Sequence, residues 1–214
     1  MVPVLTLYVC LVIGLLWAEL TQKRLAQLVF KPAAALGFIL IALSVGVPDG
    51  LYGQLIFLGL VACAFGDVFL LSRKSQKLFL AGMAAFAFGH FAYLTAFVFL
   101  ERDLPSTMDF IISGVVIFIG FGVHSWLKPH LPKPMRIPVA IYFFIILIMV
   151  INALRLPAHG PLLLAMIGAV LFAVSDVFVG RDRFVRPDPK NALAITPLYF
   201  GAQALIALST QAGI

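Results

Sequence analysis

Long apolar runs, separated by short polar or basic segments, occupy almost the whole chain. Breaks at charged residues, Pro and Gly divide the sequence into eight apolar segments. A helix that crosses a hydrocarbon core of about 30 Å needs roughly 20 apolar residues, and each segment is close to that length. The pattern therefore predicts eight membrane-spanning helices, over about residues 3–20, 32–48, 51–71, 78–100, 108–127, 136–153, 161–180 and 190–211.

The composition agrees with a membrane protein and excludes an ordinary soluble domain. Of the 214 residues, 63% are hydrophobic and 11% are charged, whereas soluble domains are about half apolar and a quarter charged. The first apolar run lacks a basic leader and a cleavage site for a signal peptide, so we assign it as the first span. We expect a single transmembrane domain over residues 1–214.

The basic residues predict the orientation of the helices. Only Arg102 and Arg155 follow even-numbered spans, and the formal charge of +6 reflects short loops rather than a nucleic-acid partner. By the positive-inside rule, the loops after spans 1, 3, 5 and 7 are cytoplasmic and both termini are on the non-cytoplasmic side. These loops hold 13 of the 15 Lys and Arg residues: Lys23, Arg24, Lys31, Arg73, Lys74, Lys77, Lys128, Lys133, Arg136, Arg181, Arg183, Arg186 and Lys190.

An Asp-Val-Phe tripeptide occurs twice, each time inside an apolar segment that ends in basic residues. Asp67 lies in "ACAFGDVFLL" of span 3, and Asp176 lies in "FAVSDVFVG" of span 7. Spans that are four apart run in the same direction. We therefore expect two parallel four-helix repeats, about residues 1–104 and 105–214, with both carboxylates at a similar depth near the cytoplasmic side.

Two carboxylates inside spans indicate a shared polar site. An ionisable residue in a span costs several kcal/mol and normally faces the bundle interior or a cavity. The alternative is that each Asp pairs with an Arg at the membrane edge or caps a neighbouring helix. If Asp67 and Asp176 converge, one carboxyl should keep its proton while the other ionises, as an acid/base pair requires.

Further polar side chains in the spans are candidates for the same cavity. His90 and Tyr93 are three residues apart in span 4, and Tyr199 and Gln203 are four apart in span 8, so each pair shares a helix face. For His90 the alternative is a hydrogen-bonded packing residue, and for Tyr199 an interfacial anchor.

Lys31, Tyr142 and Ser175 complete the candidate set. Lys31 is expected to open span 2, where it would either bind a phosphate headgroup or extend its ammonium group to the membrane surface. Tyr142 in span 6 and Ser175 beside Asp176 are weaker cavity candidates. The four His and two Cys residues lack ligand spacing, so the sequence predicts neither a metal site nor a cofactor.

The order of these motifs resembles the YhhN-like lysoplasmalogenase family of integral membrane proteins. The resemblance lies in Lys31-Pro32, "GDVFLL" at 66–71, "GHFAYL" at 89–94, "SDVFVG" at 175–180 and "YFGAQ" at 199–203. It implies a metal-independent hydrolase that cleaves the vinyl-ether bond of lysoplasmalogens. The implied products are a fatty aldehyde and glycerophosphoethanolamine or glycerophosphocholine.

The expected partners are accordingly a lysophospholipid substrate and membrane lipids. One Asp would act as general acid and the other as the ionised base, with the remaining candidates binding or supporting the substrate. The compact length favours a bacterial inner membrane over an internal membrane of a eukaryotic cell. The main alternative is a small-molecule or lipid transporter that uses the same Asp pair; an intramembrane aspartyl protease and a lipid-binding protein without chemistry are the others.

Overall fold

The chain folds as a bundle of membrane helices. The computed structural model describes residues 1–46, 50–72, 75–100 and 104–212. Within these ranges there is no β-strand, and eight helices are long and apolar enough to cross a membrane, which confirms the prediction of eight spans. The helices are α1 Val2–Leu20, α2 Arg24–Ser44, α3 Leu51–Leu70, α4 Gln76–Val98, α5 Thr107–Leu127, α6 Arg136–Ala153, α7 Gly160–Gly180 and α8 Ala192–Leu208.

The start of α2 differs from the prediction. A helix start at Pro32 is wrong, because α2 begins further upstream, at Arg24, and continues through the proline. Pro removes one backbone hydrogen bond, and neighbouring groups offset that loss within a membrane bundle. The Arg24 guanidinium fixes the first turn by donating to the backbone carbonyl of Leu71, at the end of α3. Lys31 therefore lies about two turns inside α2 rather than at its first residue.

Consecutive helices pack as antiparallel hairpins, and glycines permit the closest approaches. In the α3–α4 hairpin, a Cβ atom on Gly59 would overlap the Tyr93 ring, and one on Gly66 would lie 2.7 Å from the Phe86 ring. Gly168 of α7 packs equally closely on α8, where its Cβ would lie 2.7 Å from a side-chain carbon. Any side chain at these positions would push the paired helices apart.

Helix α5 lies at the edge of the bundle. Of its residues, only Gly120 and Leu127 are buried. The Phe118 and Phe121 side chains are 79% and 70% exposed. Exposed apolar surface of this extent is typical of a helix that contacts lipid.

The loops that connect α1 to α2, α3 to α4, α5 to α6 and α7 to α8 lie at one end of the bundle, which we call the basic end. Of the 13 basic residues of the sequence pattern, ten lie in these loops or in the helical turns beside them, and Lys31 lies about two turns inside α2. Arg73, Lys74 and Arg102 lie outside the described residues. Asp67 and Asp176 lie about one turn before the ends of α3 and α7, and both are therefore near the basic end.

Candidate active site

A cavity of about 120 Å³ lies near the basic end, and both Asp67 and Asp176 line it. Most of its wall is apolar and comes from α4, α5, α6 and α7, with aromatic rings such as Phe86, Trp126 and Phe143. The described polar side chains of the wall are Lys31, Asp67, Tyr142, Ser175, Asp176 and Tyr199. Two carboxylates in one largely apolar space can support acid/base chemistry on a lipid.

Asp67 is held by groups from α2 and α8. Its side chain is 2% exposed, and Lys31 places its ammonium nitrogen 3.7 Å from Oδ1. The Tyr199 hydroxyl donates a hydrogen bond of 2.6 Å to Oδ2. A cation and a hydroxyl donor, one at each oxygen, both favour the ionised form of this carboxyl group.

Asp176 is held by groups from α6 and α4, and both approach the same oxygen. The Tyr142 hydroxyl donates a hydrogen bond of 2.9 Å to Oδ2, and His90 Nε2 lies 3.3 Å from Oδ2. The Asp176 side chain is 15% exposed, so it is more accessible from the cavity than Asp67. Among the described residues, Oδ1 of Asp176 has no hydrogen-bond partner.

His90 lies behind Asp176 rather than on the cavity wall. It is fully buried, and its ring lies against Phe172 with a centroid separation of 4.1 Å. His90 Nδ1 is 2.8 Å from the backbone carbonyl oxygen of Phe86. Because a carbonyl oxygen only accepts, Nδ1 is the donor of this hydrogen bond. The other ring nitrogen, Nε2, lies on the side of the ring that faces Asp176. The ring therefore has one fixed orientation behind Asp176.

The two carboxylates are held in a reciprocal way. The first half of the chain contains α1 to α4 and the second half α5 to α8. Each carboxylate is approached by the second helix of its own half, α2 for Asp67 and α6 for Asp176. Each is also approached by the last helix of the other half, α8 for Asp67 and α4 for Asp176. The side chains on these last helices are His90 and Tyr199, and the interval between them in the sequence equals the interval between the two Asp residues.

The remaining predicted residues occupy different positions. Ser175 lines the cavity, but its hydroxyl donates to the Phe172 carbonyl of its own helix at 2.7 Å. Tyr93 and Gln203 are buried about one turn farther from the basic end and do not line the cavity. The Tyr93 hydroxyl donates to Gln203 Oε1 at 2.7 Å, so these two side chains link α4 to α8 beneath the site.

Sequence reasoning missed Phe172, which connects the two polar halves of the site. Its ring lines the cavity and lies between His90 and Tyr199, with centroid separations of 4.1 and 5.4 Å. Phe172 precedes Asp176 by four residues, and this spacing places both on one face of α7. That spacing was the available signal, but an aromatic residue among 20 Phe residues does not stand out.

The basic end of the cavity is bordered by aromatic rings. After α7 the chain continues as a π-helical turn, Arg181–Val185, and Phe184 of this turn lines the cavity. The Phe184 and Phe79 rings meet edge to face at 5.9 Å, and the Arg183 guanidinium lies 4.4 Å from the centre of the Phe79 ring. The segment after Asp176, which the sequence marked only as a basic cytoplasmic loop, thus forms part of the cavity wall.

Comparison with known proteins identifies relatives over most of the chain. A model of the YhhN family matches residues 26–210. A protein named lysoplasmalogenase from Mycobacterium bovis is 30% identical over 191 residues, which cover 88% of this chain and 72% of the relative. No solved structure matches the chain.

Two mammalian proteins give similar values. Human lysoplasmalogenase TMEM86B is 36% identical over 162 residues, 76% of this chain and 66% of its own length. Bovine lysoplasmalogenase TMEM86A is 33% identical over 207 residues, 94% of this chain and 75% of its own length. The range matched by the family model, residues 26–210, includes every residue that lines the cavity.

Proposed function

Because this chain belongs to the YhhN family, we propose that it is a lysoplasmalogenase that hydrolyses the vinyl-ether bond of lysoplasmalogens. The products would be a fatty aldehyde and glycerophosphoethanolamine or glycerophosphocholine. The names of its bacterial and mammalian relatives support this activity. The observation that carries the proposal is that Asp67 and Asp176 line the same cavity, whose wall is mostly apolar.

The chemistry of a vinyl ether suits two carboxyl groups. A vinyl ether resists base, but addition of a proton to its β-carbon produces an oxocarbenium ion. Water adds to this ion, and the resulting hemiacetal separates into an aldehyde and an alcohol. The first step requires a general acid, and the second is accelerated by a carboxylate that stabilises the cation and accepts a proton from water. Asp67 and Asp176 would provide these two functions.

The cavity also suits the shape of a lysoplasmalogen. The vinyl-ether bond of such a lipid lies just below the headgroup, and the two carboxylates lie about one turn inside the basic end. The Lys31 side chain is 19% exposed and lines the cavity beside Asp67. Its ammonium group would bind the phosphate, while the alkenyl chain would lie along the apolar wall formed by α4 to α7.

We further propose that residues 1–104 and 105–214 are parallel repeats and that the basic end faces the cytoplasm of a bacterial inner membrane. The reciprocal contacts of the two carboxylates support the repeat. So do Gly59 and Gly168, which are separated by the same interval as the two Asp residues and each allow the close approach of a hairpin partner. The excess of Lys and Arg supports the orientation, with both termini on the non-cytoplasmic side.

The activity is tested by incubating the purified protein in detergent micelles with 1-alkenyl-glycerophosphoethanolamine and trapping the released aldehyde. We expect turnover of this substrate. We expect no product from the 1-alkyl analogue, because a saturated ether has no carbon that accepts a proton. The 1-acyl lysophospholipid serves as the control for contaminating esterases.

The opposite outcome would favour the transporter alternative. Transport by the carboxylates would be shown if no vinyl ether is cleaved, vesicles that contain the protein accumulate a lysophospholipid, and Asp67→Asn or Asp176→Asn reduces that uptake. Asp109→Asn is the control, because Asp109 is in the first turn of α5, at the end opposite to the cavity.

A further inference from the structure

We infer that Asp176 is the general acid and that Asp67 is the ionised carboxylate that acts as the base. His90 shares the proton that Asp176 delivers. This inference rests on the proposed function and assigns its two carboxyl roles, which the sequence leaves undivided. It follows from the donors and acceptors around each carboxyl group.

The first step concerns His90. Its Nδ1 donates to the Phe86 carbonyl, so Nε2 carries either a lone pair or a second proton. Nε2 is buried without a hydrogen-bond partner among the described residues, and it lies 3.3 Å from Asp176 Oδ2. If Nε2 carried a lone pair, two acceptor atoms would lie 3.3 Å apart in a buried site, where their repulsion is weakly screened. One proton between Nε2 and Oδ2 removes this conflict, so the pair holds a proton.

The His90–Asp176 contact is close but is not aligned as a hydrogen bond. Contacts between catalytic groups commonly tighten in the complex with substrate, and a small shift would align Nε2 with Oδ2. The ring cannot turn freely, because the Phe86 carbonyl and the Phe172 ring fix it. His90 does not line the cavity, and it therefore acts through Asp176 as a positioning residue.

The second step concerns Asp67, whose surroundings are of the opposite kind. Both of its partners donate, Lys31 to Oδ1 and Tyr199 to Oδ2. The described residues place two donors and no acceptor within hydrogen-bonding or ion-pair distance of its oxygens, and such donors stabilise the ionised form. Asp67 is therefore the group that stays ionised, stabilises the oxocarbenium ion and accepts a proton from water.

These assignments give a balanced cycle. The proton of the Asp176–His90 pair forms the new C–H bond at the β-carbon as the π bond breaks. Water then forms a C–O bond to the cationic carbon and gives a proton to Asp67. As the hemiacetal separates, the glycerol oxygen takes the proton of Asp67. The hemiacetal hydroxyl proton returns to the pair, which restores both groups.

The experiment is a double-mutant cycle on the rate of aldehyde release. His90→Gln keeps a polar side chain but cannot store an ionisable proton. We expect kcat to fall about 10²-fold with KM changed by less than about threefold. Adding Asp176→Asn should cause no further loss, because the two residues act as one unit. Combining His90→Gln with Tyr199→Phe should multiply the two separate losses of kcat, because the Tyr199 hydroxyl bonds to Asp67 and not to Asp176. Thr95→Val is the control on α4, where the Thr95 hydroxyl bonds only within the helix.

Two kinetic results would overturn the assignment: full activity of His90→Gln, or losses that multiply with Asp176→Asn. A nitrogen-15 NMR spectrum of wild-type protein labelled at its four His residues tests the same point without a substitution. We expect Nδ1 of His90 to be protonated and Nε2 to share a proton; a free, unbonded Nε2 would contradict the inference. Wild-type protein that releases no aldehyde would instead refute the proposed function.

Discussion

Tyr199 on α8 donates a 2.6 Å hydrogen bond to Asp67 on α3, across 132 residues of sequence. Both side chains are buried, and the bond joins the last helix to the third at the wall of the cavity. A charge-assisted hydrogen bond in a buried site is worth more than a neutral one. The contact therefore orients a carboxylate that would otherwise lie in an apolar wall with Lys31 as its one remaining partner among the described residues.

Removal of the Tyr199 hydroxyl should weaken catalysis more than folding. For Tyr199→Phe we expect kcat for vinyl-ether hydrolysis to fall about 10- to 100-fold, the scale of a lost hydrogen bond to a charged group. The measurement is the initial rate of aldehyde release at saturating substrate.

Tyr8→Phe provides a matched control for this variant. The Tyr8 hydroxyl is also buried and also makes a 2.6 Å bond, but it donates to the Phe200 carbonyl, and Tyr8 does not line the cavity. Its loss should lower thermal stability and leave kcat near the wild-type value. Equal losses of kcat in the two variants would show that the Tyr199 bond is structural.

Lys31→Gln should discriminate between substrates with and without phosphate. If the Lys31 ammonium group binds the headgroup, kcat/KM for 1-alkenyl-glycerophosphoethanolamine should fall about 10- to 100-fold. The fall for 1-alkenylglycerol, which lacks the phosphate, should be smaller and reflect only the altered Asp67. Lys31→Arg keeps the cation and should retain most of the activity. An identical loss for both substrates would contradict phosphate binding by Lys31.

Isotope labelling follows the proton and the water. For hydrolysis in D₂O, the mechanism predicts one deuterium on the carbon next to the aldehyde carbonyl, since a solvent-derived proton forms that C–H bond. For hydrolysis in ¹⁸O water, the released glycerophospho product should contain no label, because its C–O bond to glycerol stays intact. Mass spectrometry of both products measures these outcomes. Label in the glycerol oxygen would mean that water attacks the glycerol carbon of the ether instead of the vinyl carbon.

The α3–α4 hairpin should be sensitive to side-chain volume at Gly59. For Gly59→Ala we expect a loss of about 1–3 kcal/mol of stability, because the new Cβ would overlap the Tyr93 ring. Gly114→Ala on α5 is the comparison, since no atom lies within 4 Å of its added Cβ and Ala favours helix. Thermal unfolding in detergent micelles would record both shifts. A Gly59→Ala protein as stable as wild type would mean that the two helices are less closely constrained than this packing implies.

The apolar pattern predicted the eight spans because length and hydropathy alone decide whether a helix can cross a membrane. It misplaced the start of α2, because a proline that would end a soluble helix is tolerated where neighbouring helices hold the chain on both sides. The Arg24 contact with the Leu71 carbonyl is one such restraint, and it joins residues that no local pattern connects.

The candidate residues were identified as polar side chains in apolar spans, and that signal cannot tell which of them share a wall. Tyr142, a weaker candidate in the sequence, donates directly to Asp176. Tyr93 and Gln203, which share helix faces with His90 and Tyr199, instead bond to each other one turn away from the cavity. Helical spacing defines a face of a helix, whereas the depth of the cavity depends on how eight helices pack.

The most direct test of the central claim compares wild-type protein with Asp67→Asn and Asp176→Asn at saturating 1-alkenyl-glycerophosphoethanolamine. Asparagine preserves the volume of each side chain but can neither deliver nor accept the required proton. We expect each variant to lose at least about 10² in kcat, while the Asp109→Asn protein behaves like wild type. Wild-type turnover in either variant would contradict a mechanism in which both carboxyl groups act on the vinyl ether.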